Sequence, residues 1–234
     1  MPTHDDVKVW YDRRYYAPSS TTARGENPSV AYFYPRLHLT EPARILDVAC
    51  GEGAFLERAG RDGHRLAGVD ISQVAIDHAR ARLPQAELHC STAERLPFEE
   101  GAFDVVTCFG ALEHFLDIPA ALAEMRRVAA DDARFFIVVP NRWYLGWWLK
   151  RQPGTCQKDI QEKLCSRRGW EAIFQEAGLL VRRVQADRRP SEQWWIHQDG
   201  GALRRAGRAV KGTLLRVSPL AWQYQFLFEL KKSV

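Results

Sequence analysis

The run Ile45-Leu-Asp-Val-Ala-Cys-Gly-Glu-Gly-Ala-Phe55 leaves this chain few ways to fold. It reads as a short apolar strand, an acid near its end, a tight Gly-x-Gly turn and the start of a helix. Glycine at such a turn lets a bound ligand approach the backbone closely, as in nucleotide-binding half-folds. Two details narrow the ligand. Leu56 occupies the place where a dinucleotide fingerprint has its third glycine, and Asp47 stands at the mouth of the turn, where its carboxylate would repel a pyrophosphate. A ligand with an adenosine and a positive charge, but no phosphate, suits this loop better. A second apolar run, Arg65-Leu-Ala-Gly-Val-Asp-Ile71, ends in an acid again. It falls about 20 residues past the loop, where such half-folds place the carboxylate that receives ribose hydroxyls.

From Arg44 onward apolar runs alternate with helical patterns. Strands are predicted at 44–49, 65–70, 86–90, 103–109 and 133–139, and helices at 53–62, 73–83 and 118–130. Ser72 is placed to cap the second helix, and Ala121, Leu122, Met125 and Val128 recur at helical spacing in the third. Alternation at this interval implies right-handed crossovers and a parallel sheet. Beyond Pro140 the pattern predicts a helix from a Ser166 cap to Ala177, then strands from Leu180 to Ala186 and from Trp222 to Leu230. The first 40 residues carry Trp10, Tyr11, Tyr15, Tyr16, Tyr32, Phe33 and Tyr34 around a polar stretch from Pro18 to Pro28. They read as a helix, a mobile loop and a second helix, either a lid or a cap on the core.

Asp47 to Gly53, Asp70, Ala93-Glu-Arg-Leu-Pro-Phe98, Phe103-Asp-Val-Val-Thr-Cys108 and Ala111-Leu-Glu-His114 together resemble the class I S-adenosylmethionine-dependent methyltransferases. The nearest likeness is to the small-molecule, type 11-like branch that includes quinone-ring and natural-product enzymes, and it is best over about residues 40–142. The resemblance implies an α/β, Rossmann-like, mostly parallel sheet of about seven strands with an antiparallel edge hairpin and helices on both faces. It implies one methyltransferase domain in three parts: an N-terminal lid over 1–40, a cofactor-binding core over 41–142, and a substrate and edge region over 143–234. It implies S-adenosylmethionine as cofactor and no metal. Asp47 then faces its amino-acid end, Ala49, Gly51 and Gly53 give backbone access, Asp70 takes the ribose, Ile71 lies on the adenine, and Phe109 lines the methionine side. Tyr16, Thr92, Ala93 and Glu94 complete that set. Where the family has Gly-Asp-Ala this chain has Ser91-Thr92-Ala93, so the Thr92 hydroxyl or Glu94 stands in for the usual acid.

His114 follows the fourth strand, at the sheet edge where open α/β folds bind ligands, and is the candidate general base; the alternative is that Glu113-His114 only orders its loop. Tyr15, Trp143, Tyr144 and Trp147 are the candidate substrate residues, on the reading that the aromatic run 143–148 stacks on a planar ring; it reads equally as core or as a homodimer contact.

Composition supports an ordinary folded chain, 46% hydrophobic and 26% charged, with a net charge of +4 that does not by itself indicate nucleic acid. Five cysteines form no Cys-x-x-Cys pair, and no basic-then-apolar segment opens the chain, so the expectation is a cytoplasmic protein. The stretch 199–217 reads as a basic amphipathic helix, meeting a membrane or other anionic surface or packed by its apolar stripe. The expected function is methyl transfer to oxygen or nitrogen of a small-molecule or lipid-like acceptor. The alternatives are a non-catalytic cofactor-binding scaffold or regulatory subunit and, less favoured, an RNA methyltransferase.

Overall fold

The computed structural model describes residues 2–15, 27–145, 147, 162–188, 210, 213 and 217–233. Seven strands form one sheet: β1 (Arg44–Val48), β2 (Arg65–Asp70), β3 (Glu87–Cys90), β4 (Phe103–Phe109), β5 (Ala129–Pro140), β6 (Leu179–Ala186) and β7 (Gln225–Lys232). Their order is β3-β2-β1-β4-β5-β7-β6. The first five pair in parallel, while β7 pairs antiparallel with both β5 and β6. The mostly parallel sheet with an antiparallel edge is therefore present.

The period-two geometry of a strand divides the apolar residues between two layers. Leu46, Val106, Phe135, Ile137, Phe226 and Phe228 enter one core cluster; their neighbours Ile45, Val105, Phe136, Val138 and Leu227 enter the other. Covering on both faces explains why these strands read as unbroken apolar runs. The helices are α1 (His4–Trp10), α2 (Pro28–Phe33), α3 (Ala54–Gly60), α4 (Gln73–Arg82), α5 (Ile118–Val128) and α6 (Arg167–Glu176). Ser72 caps α4 by accepting from the Ala75 N–H, Asp117 caps α5 on Ala120, and Ser166 caps α6 on Gly169. On α6, Trp170 is fully buried and its indole donates to the Pro140 carbonyl at 2.9 Å, which fixes the end of β5.

Two strand boundaries differ from the sequence expectation for physical reasons. β5 begins at Ala129 and not 133, because the register jumps from Phe103↔Ala129 to Val105↔Arg134, so an irregular extension precedes the regular ladder. β7 begins at Gln225 and not 222. Asn141 donates from Nδ2 to the carbonyls of Ala221 and Gln223, which holds Leu220–Trp222 as a 3₁₀ turn. At the other end, α1 runs on into a π-helical turn, Tyr11–Tyr15, and α2 into a 3₁₀ turn, Tyr34–Leu37. Tyr16, Trp148, Trp194, Trp195, most of the loop 18–28 and nearly all of 199–217 lie outside the described residues. Among the described residues no helix is long and apolar enough to cross a membrane.

Gly68, inside β2, lies at a point of close approach between the sheet and its neighbours. A Cβ there would lie 2.8 Å from Leu56 Cδ1, 2.9 Å from Cys50 Sγ and 3.0 Å from Leu88 Cδ2. Overpacking of this kind costs about 1–3 kcal/mol. Gly68→Ala is therefore expected to lower unfolding free energy by that amount in urea titrations; unchanged stability would show that these neighbours yield freely.

Candidate active site

The carboxyl ends of β1, β2 and β4 open into a cleft of about 150 Å³. The β1–α3 loop forms one wall with a backbone of unusual handedness: Ala49 at φ 61°, Gly51 at 53° and Gly53 at 77°. Left-handed geometry is cheap for the glycines and strained for Ala49, so the loop must be held in shape. Asp70, at the end of β2, holds it. One carboxylate oxygen accepts the Gly51 N–H at 2.8 Å and the other the Ser72 N–H at 2.9 Å. Each oxygen keeps a lone pair for a further donor.

Asp47 sits beneath the loop, 4% exposed, and accepts a 2.6 Å hydrogen bond from the Thr107 hydroxyl. Burial pushes its carboxyl up to about 7; the Thr107 bond opposes this and the Asp70 charge adds to it. Asp70 is raised as well, by burial first, against the pull of its two N–H donors. Among the described residues neither acid has an ion-pair partner. Two uncompensated buried acids next to a cleft are costly unless something positive arrives. The set fits a cationic ligand with hydroxyls for Asp70 and does not fit a diphosphate. Among the described residues no group of His, Cys, Asp and Glu is arranged to hold a metal.

Of the residues singled out from the sequence, Ala49, Asp70, Ile71, Thr92, Ala93, Glu94, Phe109 and His114 come together on the cleft wall. Asp47, Gly51 and Gly53 lie behind or beside it. Phe109 is fixed by rings: Phe33 stacks on it at 5.9 Å and 11°, and Phe55 meets it edge-on at 4.9 Å. Glu94 is already engaged, accepting the Asp117 N–H at 3.3 Å and lying 3.3 Å from His4 Nε2.

That contact belongs to a set the sequence reading missed. His4, Val7 and Tyr11, on α1 and the turn after it, also line the cleft. Asp12 accepts a short hydrogen bond from the Ser72 hydroxyl and lies 3.2 Å from Lys8 Nζ. The local signal was there: a Thr3/Asp6 capping box starts the helix, and Val7 and Tyr11 share a face at i, i+4.

The aromatic run divides. Tyr144 and Trp147 are buried and turn toward each other and Tyr224, with ring centroids 5.1 to 6.4 Å apart, while Trp143 is 54% exposed beneath the Arg142 guanidinium. None of the three lines the cleft. Tyr15 ends the π-helical turn, and its side chain, like all of Tyr16, lies outside the described residues.

A family described as a methyltransferase domain matches residues 46–137, which span the loop, Asp70 and His114. That segment is a class I S-adenosylmethionine-dependent methyltransferase domain. A probable S-adenosylmethionine-dependent methyltransferase of Mycolicibacterium smegmatis is 30% identical over 110 residues, 47% of this chain and 43% of that one. A ubiquinone biosynthesis O-methyltransferase of Hahella chejuensis is 35% identical over 104 residues, 42% and 44% of the two chains. The chain thus spans less than half the length of these curated relatives. The fold is shared with the crystal structure of the [4+2]-cyclase SpnF at a TM-score of 0.68 and 20% identity, covering 100% of this chain and 98% of that one.

Asp47 yields a stability prediction with a definite sign. Burial holds its folded pKa, about 7, well above the ordinary carboxyl range of the unfolded chain. The stability that its proton contributes is therefore full in acid and lost as pH rises toward about 7. Asp47→Asn, which keeps the acceptor for Thr107, is expected to gain stability over the parent between about pH 5 and 8, by a few kcal/mol at most. Chemical denaturation at both pH values checks this; a difference independent of pH would contradict it.

Proposed function

We propose that this chain transfers the methyl group of S-adenosylmethionine to oxygen or nitrogen of a small-molecule or lipid-like acceptor. The observation that carries the reading is the pair of buried carboxyls, Asp47 and Asp70, set around a left-handed loop with no cation of their own. The cofactor, when bound, supplies a methyl group on a positively charged sulfur. Asp70 accepts from ribose hydroxyls, and the Asp47 charge acts through the loop on the amino-acid end. Ala49, Gly51 and Gly53 offer backbone, and Ile71 and Ala93 offer an apolar face to the adenine. Thr92 faces the adenine edge, with Glu94 shared between that edge and α1. Phe109 borders the methionine side, and Tyr16 remains a cofactor candidate on the sequence resemblance alone.

On the acceptor side, His114 takes the proton that an alcohol, phenol or amine gives up as it is methylated. Alignment of the two reactants supplies most of the remaining rate. Tyr144 and Trp147 pack on each other and on Tyr224 away from the cleft, and Trp143 and Tyr15 remain acceptor candidates on the sequence pattern alone. The ubiquinone O-methyltransferase likeness supports a small acceptor over a nucleic acid. The stretch 199–217, with Arg204, Arg205, Arg208, Lys211 and Arg216, suits an anionic surface from which a lipid-like acceptor is drawn.

Isothermal titration of the whole chain tests the reading. S-adenosylmethionine and S-adenosylhomocysteine are expected to bind, and NAD is not. Asp70→Ala is expected to weaken cofactor binding by about 1.5–3 kcal/mol, since hydrogen bonds to a charged group are worth that much. Binding of NAD with none of the sulfonium cofactor would sink the proposal. Turnover over a panel of phenols, amines and carboxylates then separates enzyme from scaffold.

A further inference from the structure

One buried acid is left without a task in this account. Glu113 lies in the 3₁₀ turn Leu112–His114 and is 1% exposed. Its backbone carbonyl accepts the Lys163 N–H at 2.8 Å, which pins the turn against the segment leading to α6. Its Oε2 has no hydrogen-bond partner, and its Oε1 lies 4.0 Å from His114 Nε2. A carboxyl serving only as packing would have both oxygens satisfied, because an orphaned buried acceptor is costly. Among the described residues the titratable groups that face it are His114, Glu162, whose charge raises Glu113, and the Cys108 thiol, which Glu113 raises in turn. His114 is the one cation-former among them, and it alone of the four lines the cleft.

We propose that Glu113 is the positioning residue for His114, its carboxyl set 4.0 Å from the imidazole so that a negative charge stands beside His114 when it takes the acceptor's proton. This rests on the reading above that His114 borders the transfer. The proton balance is simple. Glu113 first loses its proton to solvent; the acceptor's O–H or N–H electron pair then stays on the acceptor atom, the proton passes to the neutral imidazole, and the imidazolium meets the carboxylate at its side. Burial raises Glu113 to about 8, so its carboxyl stays protonated through neutral pH and ionises above that. The base-competent form of the pair therefore grows as pH rises through about 8, later than for an isolated histidine.

The test needs neither cofactor nor acceptor, so its outcome is independent of whether methyl transfer is the reaction. Histidine side chains of the full chain are labelled with ¹⁵N and titrated by NMR, with His114→Gln assigning the signal. In the wild-type chain the His114 signal is expected to titrate in two coupled steps, the upper near the Glu113 ionisation. In Glu113→Gln it should become a single step at least about one unit lower, because a carboxylate within 4–6 Å shifts an ionisation by about that much or more. Glu113→Asp should keep part of the coupling. A single uncoupled wild-type step, which is read without any variant at position 113, overturns the proposal. So does a Glu113→Gln profile that matches the wild type, and Glu113 is then packing alone.

Discussion

Two backbone N–H groups donated to one carboxylate organise the whole upper edge of this sheet. By accepting from Gly51 and Ser72, Asp70 ties the β1–α3 loop to the β2–α4 turn. Ser72 passes the constraint on: its hydroxyl caps α4 and also donates to Asp12, which follows α1. A single acid thus links the strained loop, the helix that follows β2, and the N-terminal segment over the cleft. Ala49 can hold φ 61° only because its surroundings are fixed this way.

The arrangement is expensive on its own. Asp47 and Asp70 are both buried, which raises the cost of ionising each, and the Asp70 charge raises Asp47 further. Apolar residues in those places would make a more stable protein. Such a conflict between local stability and the rest of the fold is expected at a functional site. A cationic ligand resolves it, since its charge offsets the acids and its hydroxyls use the lone pairs that Asp70 keeps. A fold of this kind hosts more than one chemistry, so the reaction has to be argued from the site.

The parts legible in the sequence are those set by local pattern. Strands β1, β2 and β4 announced themselves because burial on both faces favours apolar residues, and Ser72 and Ser166 stood where caps belong. Asp47, Asp70 and the glycines were readable because a short turn fixes their spacing. The parts that escaped depend on contacts remote in sequence. The start of β7 is displaced by Asn141, 80 residues earlier. The placing of α1 over the cleft depends on His4 meeting Glu94. The aromatic run at 143–147 shows how little residue type says about direction: the sequence supplies the rings, but only the position of Tyr224 decides that Tyr144 and Trp147 turn inward to it.

The central claim is that Asp47 and Asp70 are buried for the sake of a positive ligand, and proton release on binding measures it most directly. S-adenosylmethionine titrated into the protein near pH 7, in buffers of different ionisation enthalpy, gives the number of protons exchanged. Asp47 is raised to about 7 in the free protein. A cation bound beside it should therefore expel its proton, and the release should fade above about pH 8 and be largely lost in Asp47→Asn. Binding with no proton exchange across this range, or with the same release in Asp47→Asn, would contradict the account.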